Sequence, residues 1–218
     1  MKPSIFLTVF LFLFATAFAQ NEKYVKAMGE RVAQVEITRD PAALKDLSAA
    51  FERIGDAEKT QWLPYYYAAL TQANAGMFGI NGLEGGKAGQ VDPIADKAEQ
   101  LLDKAEALSK DNSEIYIVRK MIASLRMMAD PQSRFMTYGP KAAEALATAK
   151  KLNPENPRVY LLEGQDKFFT PEQYGGSKEE AKKLFEAAMQ KFANFKPATP
   201  LDPSWGQGTT QYFMGQFK

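Results

Sequence analysis

The sequence predicts an all-α chain: a solenoid of about four irregular helical hairpins, with enlarged turns inside the hairpins and a C-terminal capping segment. Three observations carry this. First, alanine, a bulky apolar residue and a second alanine recur at steps of four and three, as Ala43–Leu47–Ala50, Ala98–Leu102–Ala105, Ala142–Leu146–Ala149 and Ala181–Phe185–Ala188. Those steps keep three side chains on one helical stripe. The small residues admit a neighbouring helix, and the large one fills the groove between them. Second, Asp40-Pro41, Asp92-Pro93, Asn156-Pro157 and Asp202-Pro203 each set an N-cap acceptor before a proline suited to the first helical position. Third, no stretch alternates apolar and polar residues with the period of a strand. One hairpin cannot bury its own stripe, so the copies must stack.

Taken in order, residues 1–19 read as a secretory leader. Lys2 supplies the positive start, Ile5 to Phe14 is apolar apart from Thr8, and Ala17-Phe18-Ala19 is a cleavage site. Cleavage leaves Gln20 first in a single domain spanning 20–218. The apolar run is shorter than the ~20 residues of a membrane span. No cysteine follows it, which excludes a lipid-anchored form. Helices are expected near 22–38, 41–54, 58–76, 93–109, 112–129, 140–152, 157–169 and 177–193. The last opens on the capping box Ser177-Lys178-Glu179-Glu180. It divides into an apolar face with Ala181, Phe185, Ala188 and Phe192 and a charged face where Glu179 and Lys183 stand in the favourable i, i+4 order. A weaker helix is expected over 203–216. That tail carries Trp205, Tyr212, Phe213, Met214 and Phe217, and its only charge after Asp202 is Lys218. A solenoid's last unit leaves an apolar face, so the segment 203–218 is expected to fold back over Phe185, Met189 and Phe192.

Composition removes most enzyme classes. The chain has no histidine and no cysteine. That deletes Ser-His-Asp and Cys-His nucleophiles, histidine metal ligands and the usual general base near neutral pH. Losing the leader removes Lys2 alone from 27 basic groups, leaving a charge balance against 26 acidic ones. Nothing favours a nucleic-acid partner, which needs a basic stripe. Gly82-Leu83-Glu84-Gly85-Gly86-Lys87 lacks the spacing of a phosphate-binding loop and reads as a turn. No catalytic residue, no metal and no cofactor is expected.

The alanine pattern resembles the second helix of the tetratricopeptide repeat, a helix–turn–helix unit of about 34 residues. Tyr160 and Gly164 match the aromatic and glycine of that family's first helix, Tyr116 matches the aromatic one unit earlier, and Pro154 follows as the family's proline does. The best stretch runs from Ala142 to Ala188. Here the first alanines stand 55, 44 and 39 residues apart, and the excess falls in the turns 77–92, 130–139 and 170–176. Equivalent turns of an array share one edge, so Phe78, Tyr138 and Tyr174 from these turns are candidate contact residues. The resemblance implies a concave groove for extended peptides lined by first helices. By register its lining would be Lys59, Trp62 and Tyr66, then Met121, then Arg158, Leu161 and Gln165.

The expected function is a non-enzymatic scaffold for a protein or peptide partner, in a bacterial periplasm or at the cell exterior. The alternative is a small-molecule-binding protein with a pocket under the glycine- and aromatic-bearing loops.

Overall fold

The computed structural model describes residues 22–80 and 87–217. The leader, and the glycine-rich part of the first expected turn over 81–86, lie outside the described residues. Among the described residues nine α-helices follow one another: α1 (22–35), α2 (Pro41–Glu58), α3 (Trp62–Gly79), α4 (Lys87–Leu108), α5 (Ser113–Ala129), α6 (Pro131–Leu152), α7 (Pro157–Phe169), α8 (Lys178–Asn194) and α9 (Gln207–Met214). Among the described residues there is no strand. None of their helices is long and apolar enough to cross a membrane. Packing runs between sequence neighbours, most extensively α5 on α6, α2 on α3, α3 on α4 and α7 on α8. The fold is a helical-hairpin solenoid.

Three of the four alanine stripes are buried: Ala98, Leu102 and Ala105; Ala142, Leu146 and Ala149; Ala181, Phe185 and Ala188. In α2 the buried stripe is shifted by one residue to Leu44, Leu47, Ser48, Phe51 and Gly55, so Ala43 is exposed. Larger side chains on that stripe outweigh the alanines, and Ser48 and Gly55 take the small-residue role. Ser48 Oγ donates to the Ala68 carbonyl at 2.8 Å. At the α7–α8 contact a Cβ on Gly164 would lie 2.7 Å from the Phe185 ring, so glycine is what lets the ring seat there.

Three boundaries differ from expectation, each for a local reason. Residues 131–139 are not a loop but the first turns of α6. Asp130 caps that helix from Ser133 N, with Pro131 at its first turn and Pro140 carried inside. The extra length of this unit therefore lies in helix, and a single residue joins α5 to α6. Helix α4 starts at Lys87, which places Pro93 inside it. Asp92 does not cap but receives both terminal nitrogens of Arg134 at 2.6 and 2.7 Å. The tail helix starts at Gln207 rather than 203, because Asp202 accepts from Thr199 N at 2.6 Å in a turn and Gly206, at φ 110°, is the N-cap.

The tail closes the molecule. Phe213 of α9 stacks on Phe185 with centroids 4.9 Å apart and planes 8° from parallel. Trp205 packs against all three apolar clusters: the large one over α1–α5, the one over α7–α9 and the one joining α5, α6 and α7.

Candidate functional site

Two places gather side chains that sequence reasoning singled out. The first is the face shared by α3, α5 and α7. Arg158 is wholly buried there and pairs with Glu114, its Nη2 at 2.8 Å and its Nε at 2.9 Å. Glu114 also accepts from Asn156 at 2.7 Å and Tyr66 at 3.1 Å. Burial, above all, pushes the Tyr66 hydroxyl well above its ordinary pKa. Burial works against the charge of Arg158, but Glu114 outweighs it and the pKa lies above the usual arginine value. This face is filled by the chain itself. Arg158 donates to the carbonyls of Pro203 and Trp205 at 2.7 and 3.2 Å, and Tyr67 donates to that of Leu201 at 2.8 Å. Trp205 Nε1 donates to Tyr66 at 2.9 Å. Three alternate carbonyls are thus held as a bound peptide's would be. Tyr66, Arg158 and Leu161 are buried and do not line an open groove, because the tail lies over them. Trp62 is half-buried, edge-on to Tyr66. Met121 is half-buried between two clusters, and Gln165 is half-buried on α7.

The remaining groove candidate, Lys59, and the three loop candidates separate. Lys59 is the exposed left-handed C-cap of α2, at φ 58°. Phe78 sits at the end of α3 beneath Arg39. Tyr174 stands exposed in a 3-10 turn. Tyr138 alone enters the second place, a groove of about 270 Å³ among α4, α5 and α6.

That groove is built from one pattern used twice. On α5, Tyr116 is followed by Arg119, Ala123 and Arg126; on α6, Tyr138 is followed by Lys141, Ala145 and Thr148, with the same spacings of three, seven and ten residues. Each set is a single helical stripe. The two helices form a hairpin and run antiparallel, so Tyr138 meets the Arg126 end and Tyr116 the Thr148 end. Ile122, Ala123 and Ala145 make an apolar floor of small relief. The Tyr138 ring has Arg126, Arg134 and Lys141 at 5.9, 5.9 and 5.4 Å from its centre.

Helix α4 supplies the third wall and its charges. Arg119 reaches Glu106 at 2.7 Å and Asp103 at 3.0 Å; Arg126 reaches Asp96 at 2.7 Å and Glu99 at 2.9 Å. Burial opposes both guanidinium charges, yet these carboxylates outweigh it and raise both pKa values. Tyr116 is pushed upward by burial and then by Glu106, so it keeps its proton. The groove therefore offers an apolar floor, phenol rings at both ends and fixed charges at its rim. Tyr116, Arg119, Arg126 and Lys141 were missed as site residues. Their signal, the repeated Tyr–cation–Ala spacing, lies in adjacent helices and is visible only once the two stripes are laid face to face.

The structure is similar to that of the HusA haemophore from Porphyromonas gingivalis, with a TM-score of 0.77 and 32% sequence identity over 89% of this chain and 92% of that one. No protein-family model and no curated protein sequence matches the chain.

Proposed function

Since this chain belongs to the family of the HusA haemophore, we propose that it is an exported, non-enzymatic binding protein for a flat, mainly apolar small molecule of the tetrapyrrole class, seated in the α4–α5–α6 groove. The observation that carries this reading is the doubled Tyr–cation–Ala stripe, which places a smooth apolar floor between two aromatic ends. Ligand sites are mainly apolar clefts with a few polar groups that fix orientation. Tyr116 and Arg126 stand ten residues apart, about 15 Å along the helix axis. The groove's 270 Å³ lies just below the usual range of ligand pockets, so a macrocycle in it keeps one edge in solvent. Haem iron takes histidine, cysteine, methionine or tyrosine as protein ligands. The groove lining holds only the tyrosines of that set, and the apolar floor packs on the ring face whether or not one of them reaches the iron. The resemblance of the hairpins to tetratricopeptide repeats enters as an account of packing, and the peptide-groove reading gives way because the tail occupies that groove.

The test is an absorbance and tryptophan-fluorescence titration of the mature chain with ferric haem. Saturable binding is expected, and Ala123→Phe, which fills the floor, should weaken it at least tenfold while the helical circular dichroism is kept. Unaltered binding by Ala123→Phe, or no binding by the wild type, overturns the assignment. A protein partner is the second reading. Every turn inside a hairpin carries an exposed apolar side chain nearby, from Ile37 and Phe78 to Met136 and Tyr174, and such side chains suit contact with a receptor.

A further inference from the structure

Resting on the groove reading above, we infer that the site reads a carboxylate on its ligand through Lys141, and so orients the ligand with its anionic rim toward the Tyr138 end. The repeated stripe alone gives the groove a near-dyad, with Arg119 beside Tyr116 at one end and Lys141 beside Tyr138 at the other. Helix α4 breaks that symmetry. Arg119 is engaged by Asp103 and Glu106, with Glu99 at 3.6 Å, and Arg126 by Asp96 and Glu99. Arg134, behind Tyr138, has both its terminal nitrogens on Asp92. The charge of each guanidinium is thus already offset by carboxylates of the protein, on Nη2 for Arg119 and Arg126 and on both terminal nitrogens for Arg134, which weakens its pull on a ligand anion.

Lys141 differs. Its side chain is exposed at the groove lip, 5.4 Å from the Tyr138 ring centre, and has no ion pair among the described residues. An ammonium on a flexible stem is a point charge that can follow a ligand carboxylate over a range of positions. The other half of the lip repels one: Glu144, one turn further along α6, lines the groove toward Thr148. The lip thus carries an available cation on the Tyr138 side and an available anion one turn further toward Thr148, a polarity that sets orientation. Flat apolar molecules without an acid group would enter the same floor but without a preferred direction.

The experiment compares ferric haem with its dimethyl ester, whose carboxylates are blocked, on the wild type, Lys141→Gln and the distant surface control Lys182→Gln. An exposed ion pair contributes about 0.2–1 kcal/mol, or up to about fivefold in affinity. The wild type should bind the free acid about threefold to fivefold more tightly than the ester at low salt, and the preference should shrink as salt rises. Lys141→Gln should lose the preference while keeping wild-type affinity for the ester, and Lys182→Gln should keep it. Equal wild-type affinity for acid and ester, or a Lys141→Gln loss that is the same for both, overturns the inference and leaves the groove reading intact. Failure of the wild type to bind either compound overturns the groove reading itself.

Discussion

Replacing Arg158 with methionine tests the tail clamp and, through it, the closure of the solenoid. Methionine has an unbranched, flexible side chain that fills irregular space, so the change removes charge and donors more than volume. What is left is Glu114, with a side chain only 13% exposed and its main partner gone. Removing one member of a buried ion pair costs about 3–5 kcal/mol, because the other charge stays uncompensated. The carbonyls of Pro203 and Trp205 lose their donors as well. For a chain of this length 1 kcal/mol corresponds to about 2–4 °C in Tm, so a fall of roughly 6–20 °C is expected. Thermal and urea unfolding measure it, and limited proteolysis reports whether cleavage after Phe195 becomes faster. Glu114→Gln combined with Arg158→Met should recover part of the loss. The amide oxygen still accepts from Asn156 or Tyr66, and the stranded charge is gone. A fall below about 1 kcal/mol for Arg158→Met, or no recovery in the double variant, would mean that the clamp is hydrated and that something else holds the tail.

Three further predictions concern packing and charge. Gly164→Ala should destabilise by about 1–3 kcal/mol in urea, since its Cβ meets a Phe185 ring already stacked on Phe213; a neutral result would show that the ring pair yields. Ala188→Leu overpacks a fully buried stripe and should cost a similar ~1–3 kcal/mol, while unchanged unfolding would mean that α8 does not meet a helix there. Arg134 holds the Asp92 carboxyl below its usual range. The stability from that pair is therefore complete above the unfolded value of about 3.9 and disappears as pH falls through the lower folded value. Asp92→Asn should lower stability at pH 7 and flatten its decline below about pH 4, and parallel acid limbs for the two proteins would contradict the assignment.

Most of the helices could be read from the chain because their signals are local. Asp40, Asn156 and Ser177 cap helices from the positions their neighbours mark, and period alone places Ala98, Leu102 and Ala105 in the core. The same local rules misled where a tertiary partner intervened. Asp92 has the sequence context of a cap, but an arginine 42 residues away claims both its oxygens. Pro140 follows a glycine and looks like a boundary, yet Asp130 had already started the helix ten residues earlier. The face shared by α3, α5 and α7 shows the same limit. Register put Tyr66 and Arg158 on one surface, and the structure does join them through Glu114. Nothing local, however, revealed that the tail's carbonyls would satisfy the arginine's remaining donors.

The missed groove and the missed tail contact share one cause, since α5 serves both. Its first turn carries Glu114 to the tail clamp, which fixes α5 against α3, α7 and the tail. The stripe from Tyr116 to Arg126 faces α4 and α6. The polar residues along α5 share one helical stripe, and judged one at a time they name no partner. Their meaning comes from what lies opposite: five acidic positions on α4, from Asp92 to Glu106, and the matching stripe on α6. Both ends of the groove's central helix are held by charged pairs, Glu114 with Arg158 at one end and Arg126 with Asp96 and Glu99 at the other. Loosening the clamp should therefore disturb the groove as well as the tail. Arg158→Met should weaken ligand binding even though the side-chain hydrogen bonds of Arg158 go to Glu114, Pro203 and Trp205, outside the groove lining.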